Sequence, residues 1–392
     1  MAVQVAFVTT HPIQYQAPLF RLLAARSDID LTVLFCHMPG KDQQGVGFGV
    51  QFEWDIPLLD GYRWQLLENV SNDPGSSHFR GCDTPGIGRK LQELQVDAVI
   101  VNGWGVKSTV QTLRACRRLG LPCIVRGESN LLPRRPRWKQ WLQRALVRRY
   151  SAQLCIGQRN REFYRHYGIP DRQMFFCPYC VENRRFQVPG RDERGAAFRE
   201  RMGIPGDVVC YLFSGKLIPK KHPVDLLDAF RMSVEAGSPA HLMIVGDGPL
   251  RPECEAIAAR IPGRVHFTGF VNQGEIADAY AAADCLVLPS DCWETWGLVV
   301  NEAMASGRPA IVSDQVGCVP DLIRDGETGW KFSHRDWGAL ANVLREQASD
   351  RDRLHAMGRR AEAHVAGYSP EQAVEGMVEA VRFVTSARVA AC

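Results

Sequence analysis

Residues 284–307 read Asp284-Cys285-Leu286-Val287-Leu288-Pro289-Ser290-Asp291-Cys292-Trp293-Glu294-Thr295-Trp296-Gly297-Leu298-Val299-Val300-Asn301-Glu302-Ala303-Met304-Ala305-Ser306-Gly307. An apolar run ends at Pro289, a polar loop carries Glu294, and a helix is expected to start near Gly297. Because the run is continuously apolar rather than alternating, it marks a strand buried on both faces, as in a parallel sheet covered by helices. The same pattern recurs in both directions along the chain. Apolar runs lie at 3–8, 31–36, 97–101, 122–126 and 152–156, and again at 208–214, 241–246, 264–268, 284–289 and 309–313, with amphipathic stretches between them. Repeated βαβ units of this kind predict α/β architecture with two doubly wound, Rossmann-like domains, and 392 residues suffice for both.

Val188-Pro189-Gly190-Arg191-Asp192-Glu193-Arg194-Gly195 is charged and turn-rich, and a fresh strand is expected at Val208. The boundary is therefore placed between a domain at 1–187 and one at 188–369. Residues 370–392 carry Val374, Met377, Val378, Val381 and Val384 at helical spacing with no strand after them, so a closing helix is expected to pack back on the first domain. The 47 basic and 43 acidic residues give a net charge of +4, an average that speaks against a nucleic-acid binder. That average hides a split: 25 basic against 15 acidic in residues 1–190, then 22 against 28 in the remainder.

The 13 cysteines stand mostly alone within apolar runs, where thiols behave as small hydrophobes, and this points to a reducing compartment. Cys177-Pro178-Tyr179-Cys180 has redox or metal spacing, but no second pair or neighbouring His completes a site, so structural thiols are expected. Met1 leads into the strand-like Val3-Gln4-Val5-Ala6-Phe7-Val8 without a basic leader, and no apolar stretch reaches about 18 residues. The expected location is cytoplasmic, with or without peripheral contact with the inner membrane face.

A helix that starts at the carboxyl end of a parallel strand offers unpaired backbone N–H groups, which suits a diphosphate, and Gly297 lets such a ligand approach the backbone. Glu302 lies one turn deeper on that helix than Leu298, and Glu294 precedes it. Carboxylates beside a phosphate site repel it unless they accept hydrogen bonds from hydroxyls, and a sugar nucleotide carries hydroxyls on both sides of its diphosphate. The alternative is that Glu302 ion-pairs on a solvated helix and Glu294 decorates a loop. A second motif, Phe213-Ser214-Gly215-Lys216-Leu217-Ile218-Pro219-Lys220-Lys221-His222-Pro223, opens a strand into a loop with three lysines. It is either a solvated basic loop or a set of point cations facing the same ligand. A third, Ile244-Val245-Gly246-Asp247-Gly248-Pro249, is a strand followed by a glycine turn that lacks the full dinucleotide fingerprint.

In their order these motifs, with Phe267-Thr268-Gly269-Phe270-Val271 and Asp325-Gly326-Glu327-Thr328-Gly329, resemble glycosyltransferase family 4, the retaining nucleotide-sugar-dependent enzymes of the GT-B fold. The resemblance covers residues 205–370 and implies two Rossmann-like domains facing a central cleft. It implies that Lys216 and Lys221 contact the donor diphosphate, Glu294 the transferred sugar and Glu302 the ribose. It further places the amides of Gly297, Leu298 and Val299 at the phosphates or sugar, the Gly246–Gly248 turn in the donor site, and the backbone near Val271 at the base. Lys216 departs from the family's usual Arg, exchanging a bidentate fork for a point charge. Lysines and helix-end amides stabilise the departing diphosphate in this reading, so neither metal nor cofactor is expected. The leaving phosphate itself is thought to guide the acceptor hydroxyl in such enzymes, and Glu294 then orients the sugar.

The first half matches the family less well. Where a glycine-rich loop is usual, the chain reads Thr9-Thr10-His11-Pro12-Ile13-Gln14-Tyr15-Gln16, and Asn102-Gly103-Trp104-Gly105 stands where the family often has a cleft His. His11 is either an exposed loop residue or the substitute for that catalytic His. Gln14, Tyr15, Asn102, Trp104, Arg126 and Glu128 are the acceptor-site candidates. Within 134–149, Trp138, Trp141, Leu142, Ala145 and Leu146 fall at helical spacing among arginines. Packing on the chain's own sheet is expected, and an interfacial helix attracting anionic lipid or an anionic acceptor is the alternative. Transfer of a sugar to a hydroxyl on a glycan, a lipid-linked acceptor or a small molecule is the leading reading. A sugar-nucleotide epimerase or hydrolase on the same fold, and a non-catalytic nucleotide-sugar-binding scaffold, are its rivals.

Overall fold

The computed structural model describes residues 2–40 and 52–389 and divides into two compact units. The first takes the described residues of Met1–Gln43, Pro57–Tyr179 and Pro370–Cys392; the second takes those of Gln44–Ile56 and Cys180–Ser369.

In the first unit, β1 (Val3–Thr9), β2 (Ile29–Phe35), β3 (Arg63–Leu66), β4 (Ala98–Asn102), β5 (Cys123–Arg126), β6 (Ala152–Cys155) and β7 (Met174–Phe176) form one parallel sheet in the order β3-β2-β1-β4-β5-β6-β7. The central strands are buried on both sides, as their unbroken apolar runs require. The second unit repeats the plan with β8 (Cys210–Ser214), β9 (His241–Val245), β10 (Val265–Gly269), β11 (Cys285–Leu288), β12 (Ala310–Ser313) and β13 (Gly329–Phe332). These are also parallel and run in the order β10-β9-β8-β11-β12-β13. In each sheet the winding reverses once, between β1 and β4 and between β8 and β11. The crevice outside the strands' carboxyl ends at such a reversal is where ligands bind in this class of fold.

Strands β3, β7 and β13 have no counterpart among the expected runs. All three lie at sheet edges, where one flank needs no apolar cover; Arg63-Trp64-Gln65-Leu66 is exposed throughout. The units divide at Tyr179–Cys180, ahead of the expected 187/188 boundary. Residues after Cys180 already pack on the second unit, with Arg185 Nη2 donating to Gln273 O at 3.0 Å and Phe186 edge-on to Tyr280. The charged stretch read as a linker is largely the start of a helix, Arg191–Met202, whose first turn carries Asp192 and Glu193 where the helix dipole favours acids.

Helix Pro370–Val389 packs within the first unit on helix Ala17–Ala24, β6 and β7, while 390–392 of the expected closing segment lie outside the described residues. Its apolar stripe is buried, and Arg26–Glu375 and Arg382–Asp28 ion pairs at 2.7 Å flank it. The described cysteines are free thiols, all buried except the half-buried Cys292. Burial pushes the Cys177 thiol up, against the opposing pull of Arg126, as befits an inert core residue. At the amino end of β11 the fully buried Asp284 accepts from Arg199 at 2.6 Å, Arg351 at 2.7 Å and the Cys210 amide at 2.8 Å. Burial alone would raise its carboxyl, but His355, Arg199 and Arg351 hold it well below the carboxylate range. Among the described residues no helix is long and apolar enough to cross a membrane. Helix Arg137–Val147 contradicts the expectation of core packing: Val147 is its one buried residue, and Trp138, Trp141 and Leu142 face outward.

Candidate functional site

The lysine loop leaves β8 and the Glu294 loop leaves β11, so the reversal of the second sheet sets the two side by side. After Ser214 the chain runs through Lys216 into a single 3-10 turn, Pro219–Lys221, and then helix Pro223–Glu235. The amide of Asp291 donates to the carbonyl of Lys220 at 3.0 Å, tying the loops together. Lys221 Nζ forms an ion pair with Glu294 Oε2, both side chains being largely buried at 12% and 14% exposure. Burial by itself would raise the Glu294 carboxyl, yet the ammonium groups of Lys221 and Lys220 hold it below its ordinary value. Lys216 is shifted the other way: burial, then repulsion by Lys220 and Lys221, lowers its ammonium. Three half-buried cations thus converge beyond the carboxyl end of β8, an arrangement that favours an anionic ligand.

The helix Leu298–Ala305 starts directly after this loop. Gly297 sits before it with φ +97°, and a Cβ there would stand 2.9 Å from Leu288 Cδ2 and 3.0 Å from Val316 Cγ1, so only glycine lets the helix begin this close to β11. The loop is fastened from the other side by the Gly317 amide to Glu294 O and the Cys318 amide to Trp296 O, each 3.0 Å. Trp296 is buried and donates its Nε1–H to Asn301 Oδ1 at 2.8 Å. Leu298 and Val299 are half-buried in the first turn, where the backbone amides have no partner within the helix itself.

The two glutamates differ sharply in surroundings. Glu294 lies in the loop against Lys221. Glu302 is only 3% exposed, and its Oε2 accepts from Tyr280 Oη at 2.6 Å. The sequence holds no signal for Tyr280, which comes from the separate helix Ile276–Ala282. Gly246 and Gly248, expected at the donor, serve close packing: a Cβ on Gly246 (φ +127°) would fall 2.0 Å from Gly215 O, and one on Gly248 would fall 2.7 Å from Leu217 O. The turn they form holds the lysine loop, with Leu217 N donating to Asp247 O at 2.9 Å. Val271 lies half-buried just past β10, two strands from β8 and so roughly 10 Å away across the sheet. Residues 52–55, far away in sequence, dock beside it. Phe52 stacks on Phe270 at 4.3 Å, Asn272 Nδ2 donates to Glu53 O at 2.8 Å, and the Gly274 amide donates to Asp55 Oδ2 at 2.8 Å.

In the first unit His11 follows β1 and Asn102 ends β4, so both stand at that sheet's reversal. His11 Nδ1 lies 2.9 Å from Thr10 Oγ1, and burial, with the nearby His37, lowers its imidazole to about 4, which leaves it neutral at pH 7. Gln14 and Tyr15 are half-buried in the turn that enters helix Ala17–Ala24. Two other acceptor candidates are turned inward. Trp104 stacks on Phe163 at 6.0 Å and packs against the core, while Arg126 is 1% exposed with its guanidinium 4.6 Å from the centre of the Tyr179 ring. Glu128 Oε1 accepts from Tyr179 Oη at 2.5 Å. Two Asp-x-Asp triplets have structural contacts: Asp28 of Asp28-Ile29-Asp30 pairs with Arg26 and Arg382, and Asp350 of Asp350-Arg351-Asp352 caps a helix through the Arg353 amide.

The chain is 35% identical over 233 residues to the D-inositol 3-phosphate glycosyltransferase of Streptomyces coelicolor, a match covering 54% of this chain and 50% of the relative. It is 30% identical over 226 residues to the alpha-D-kanosaminyltransferase of Streptomyces kanamyceticus, covering 54% and 58%. The chain thus spans about half the length of the curated relatives it matches. Among solved structures, Anabaena HepE in complex with UDP aligns with TM-score 0.74 at 16% identity over 97% of this chain and 100% of that one. A glycosyltransferase from Rickettsia africae aligns with TM-score 0.76 at 13% identity over 98% of each. At these identities the likeness is one of fold, the two-domain α/β GT-B fold. The model of the family described as glycosyl transferases group 1 matches residues 196–364, which include both strand-end loops and the helix behind them. Over that region, somewhat less than half of its length, the chain is similar to the glycosyl transferases group 1 family.

Proposed function

We propose that the chain is a retaining glycosyltransferase that moves a sugar from a nucleotide-diphosphate sugar to a hydroxyl acceptor, with no metal taking part. The observation that carries this reading is the Lys221–Glu294 pair at the reversal between β8 and β11, with Lys216 and Lys220 beside it and a helix N-terminus behind. Lys216 and Lys221 face the diphosphate, the amides at Gly297 to Val299 receive phosphate or sugar oxygens, and Glu294 accepts from the hydroxyls of the transferred sugar. Glu302, fixed by Tyr280, lies deeper and serves the ribose. Val271 offers backbone groups to the base.

In the reaction the bond from the anomeric carbon to the diphosphate oxygen breaks, and its electron pair leaves with the nucleotide. The sugar passes through an oxocarbenium-like state, the acceptor oxygen bonds to the same face, and the acceptor's proton passes to the departing diphosphate. The lysines and helix-end amides stabilise the charge that grows on that diphosphate. His11, neutral at pH 7, is suited to a hydrogen bond with a substrate hydroxyl rather than to charge stabilisation.

The acceptor is left to experiment, because the matched relatives align with only 54% of the chain. The test is incubation with a panel of nucleotide sugars, uridine diphosphate sugars first because HepE was solved with UDP, together with a panel of hydroxylated acceptors. Nucleotide release coupled to a mass gain on an acceptor supports transfer. Release without an acceptor product favours an epimerase or hydrolase, and binding without release favours a scaffold.

A further inference from the structure

The helix Arg137–Val147 is mounted inside out. Trp138 is 61% exposed, Trp141 67% and Leu142 50%, and at about 100° per residue they share one face. Leu131, in the loop that leads to the helix, is 45% exposed. The opposite side is held by polar groups: Tyr167 Oη donates to Gln143 Oε1 at 3.2 Å, and Gln140 Nε2 donates to Arg135 O at 2.8 Å. Only Val147 and part of Leu146 join the core. An amphipathic helix that packed for stability would place its tryptophans inward, so this face is kept apolar for another surface.

The charge around it narrows the choice. Arg134, Arg137, Lys139, Arg144, Arg148 and Arg149 are exposed on or beside the helix, and no Asp or Glu occurs between Glu128 and Glu162. A second copy of the chain would bring the same cations and be repelled. A duplex nucleic acid would satisfy the cations but leave the indoles in water. An anionic bilayer satisfies both, because phosphate headgroups overlie hydrocarbon, and tryptophan settles at that level while arginine reaches the phosphates. The helix has eleven residues, too few to span a bilayer, and so lies in its plane.

We propose that residues 131–149 are a peripheral docking surface for an anionic lipid bilayer. The site is independent of the transfer chemistry and belongs to the first unit.

The experiment is co-sedimentation of the full chain with vesicles of equal parts phosphatidylcholine and phosphatidylglycerol, and with phosphatidylcholine alone, at low and high salt. The expected result is binding to the anionic vesicles that weakens as salt rises. The double variant Trp138→Ser, Trp141→Ser lowers partitioning by about tenfold or more, and Arg137→Gln with Arg144→Gln and Arg148→Gln removes most of the salt dependence. Thermal midpoints stay near wild type, because the altered side chains are exposed. Failure of the wild type to bind anionic vesicles overturns the proposal, as does equal binding by the tryptophan variant. So does concentration-dependent self-association that the tryptophan variant abolishes, which assigns the face to a second copy.

Discussion

Glu294 and Glu302 share a helix entrance but answer to different neighbours. Glu294 is balanced by Lys221 at the mouth, whereas Glu302 is buried against Tyr280. Glu294→Ala is therefore expected to lower kcat by about a hundredfold or more, because the sugar loses its orienting partner, while the affinity for free nucleoside diphosphate changes little. Single-turnover kinetics beside calorimetric binding separates the two effects. Tyr280→Phe removes one hydrogen bond from a buried carboxylate and is expected to cost about 1–3 kcal/mol of stability, read from urea unfolding. The first pair was legible in the sequence because each member sits in a loop fixed to the end of a recognisable strand. Tyr280 was not, since it reaches Glu302 from another helix and no spacing links them. The surroundings of Trp104 and Arg126 were not legible for a related reason: the neighbours they pack on, Phe163 and Tyr179, lie far from them in sequence.

At the scale of elements, what could be read was the buried interior of each sheet. Central strands need apolar residues on both faces and so leave continuous runs, while β3, β7 and β13 lie at edges and leave none. The placement of residues 52–55 on the second unit, between segments that belong to the first, could not be read at all, because its anchors at Phe270, Asn272 and Gly274 lie in a distant part of the chain. The glycine turn after β9 was legible as a turn, and its role became clear only from contact. Gly246→Ala puts a methyl group against Gly215 O in a backbone conformation that alanine resists. The expected outcome is a lysine loop displaced from Glu294 and a loss of roughly 2 kcal/mol or more, measurable as weaker nucleotide binding together with a lower unfolding midpoint.

For the whole molecule, the charge split between the halves acquires two local meanings. In the second half, acidic overall, three lysines gather in the loop after β8, and in the first half exposed cations gather around an exposed tryptophan face. The protonation of buried groups gives a further property of the entire fold. His11 and His241 both titrate near about 4 rather than 6.5, lowered first by burial and then by His37 and His266 respectively. Between those values the unfolded chain binds protons that the native chain refuses, so stability rises with pH across this window. Glu294 and Asp284, held below the usual carboxylate range, add a loss of the same sign at still lower pH. The unfolding temperature is expected to fall by at least about 5 °C between pH 7 and pH 4.5, and scanning calorimetry across that range checks it. The central claim concerns the reversal between β8 and β11, and hydrogen–deuterium exchange with and without nucleoside diphosphate tests it most directly. Protection is predicted in peptides covering Gly215–Lys221 and Gly297–Asn301; protection confined to other segments, with these two unchanged, would contradict it.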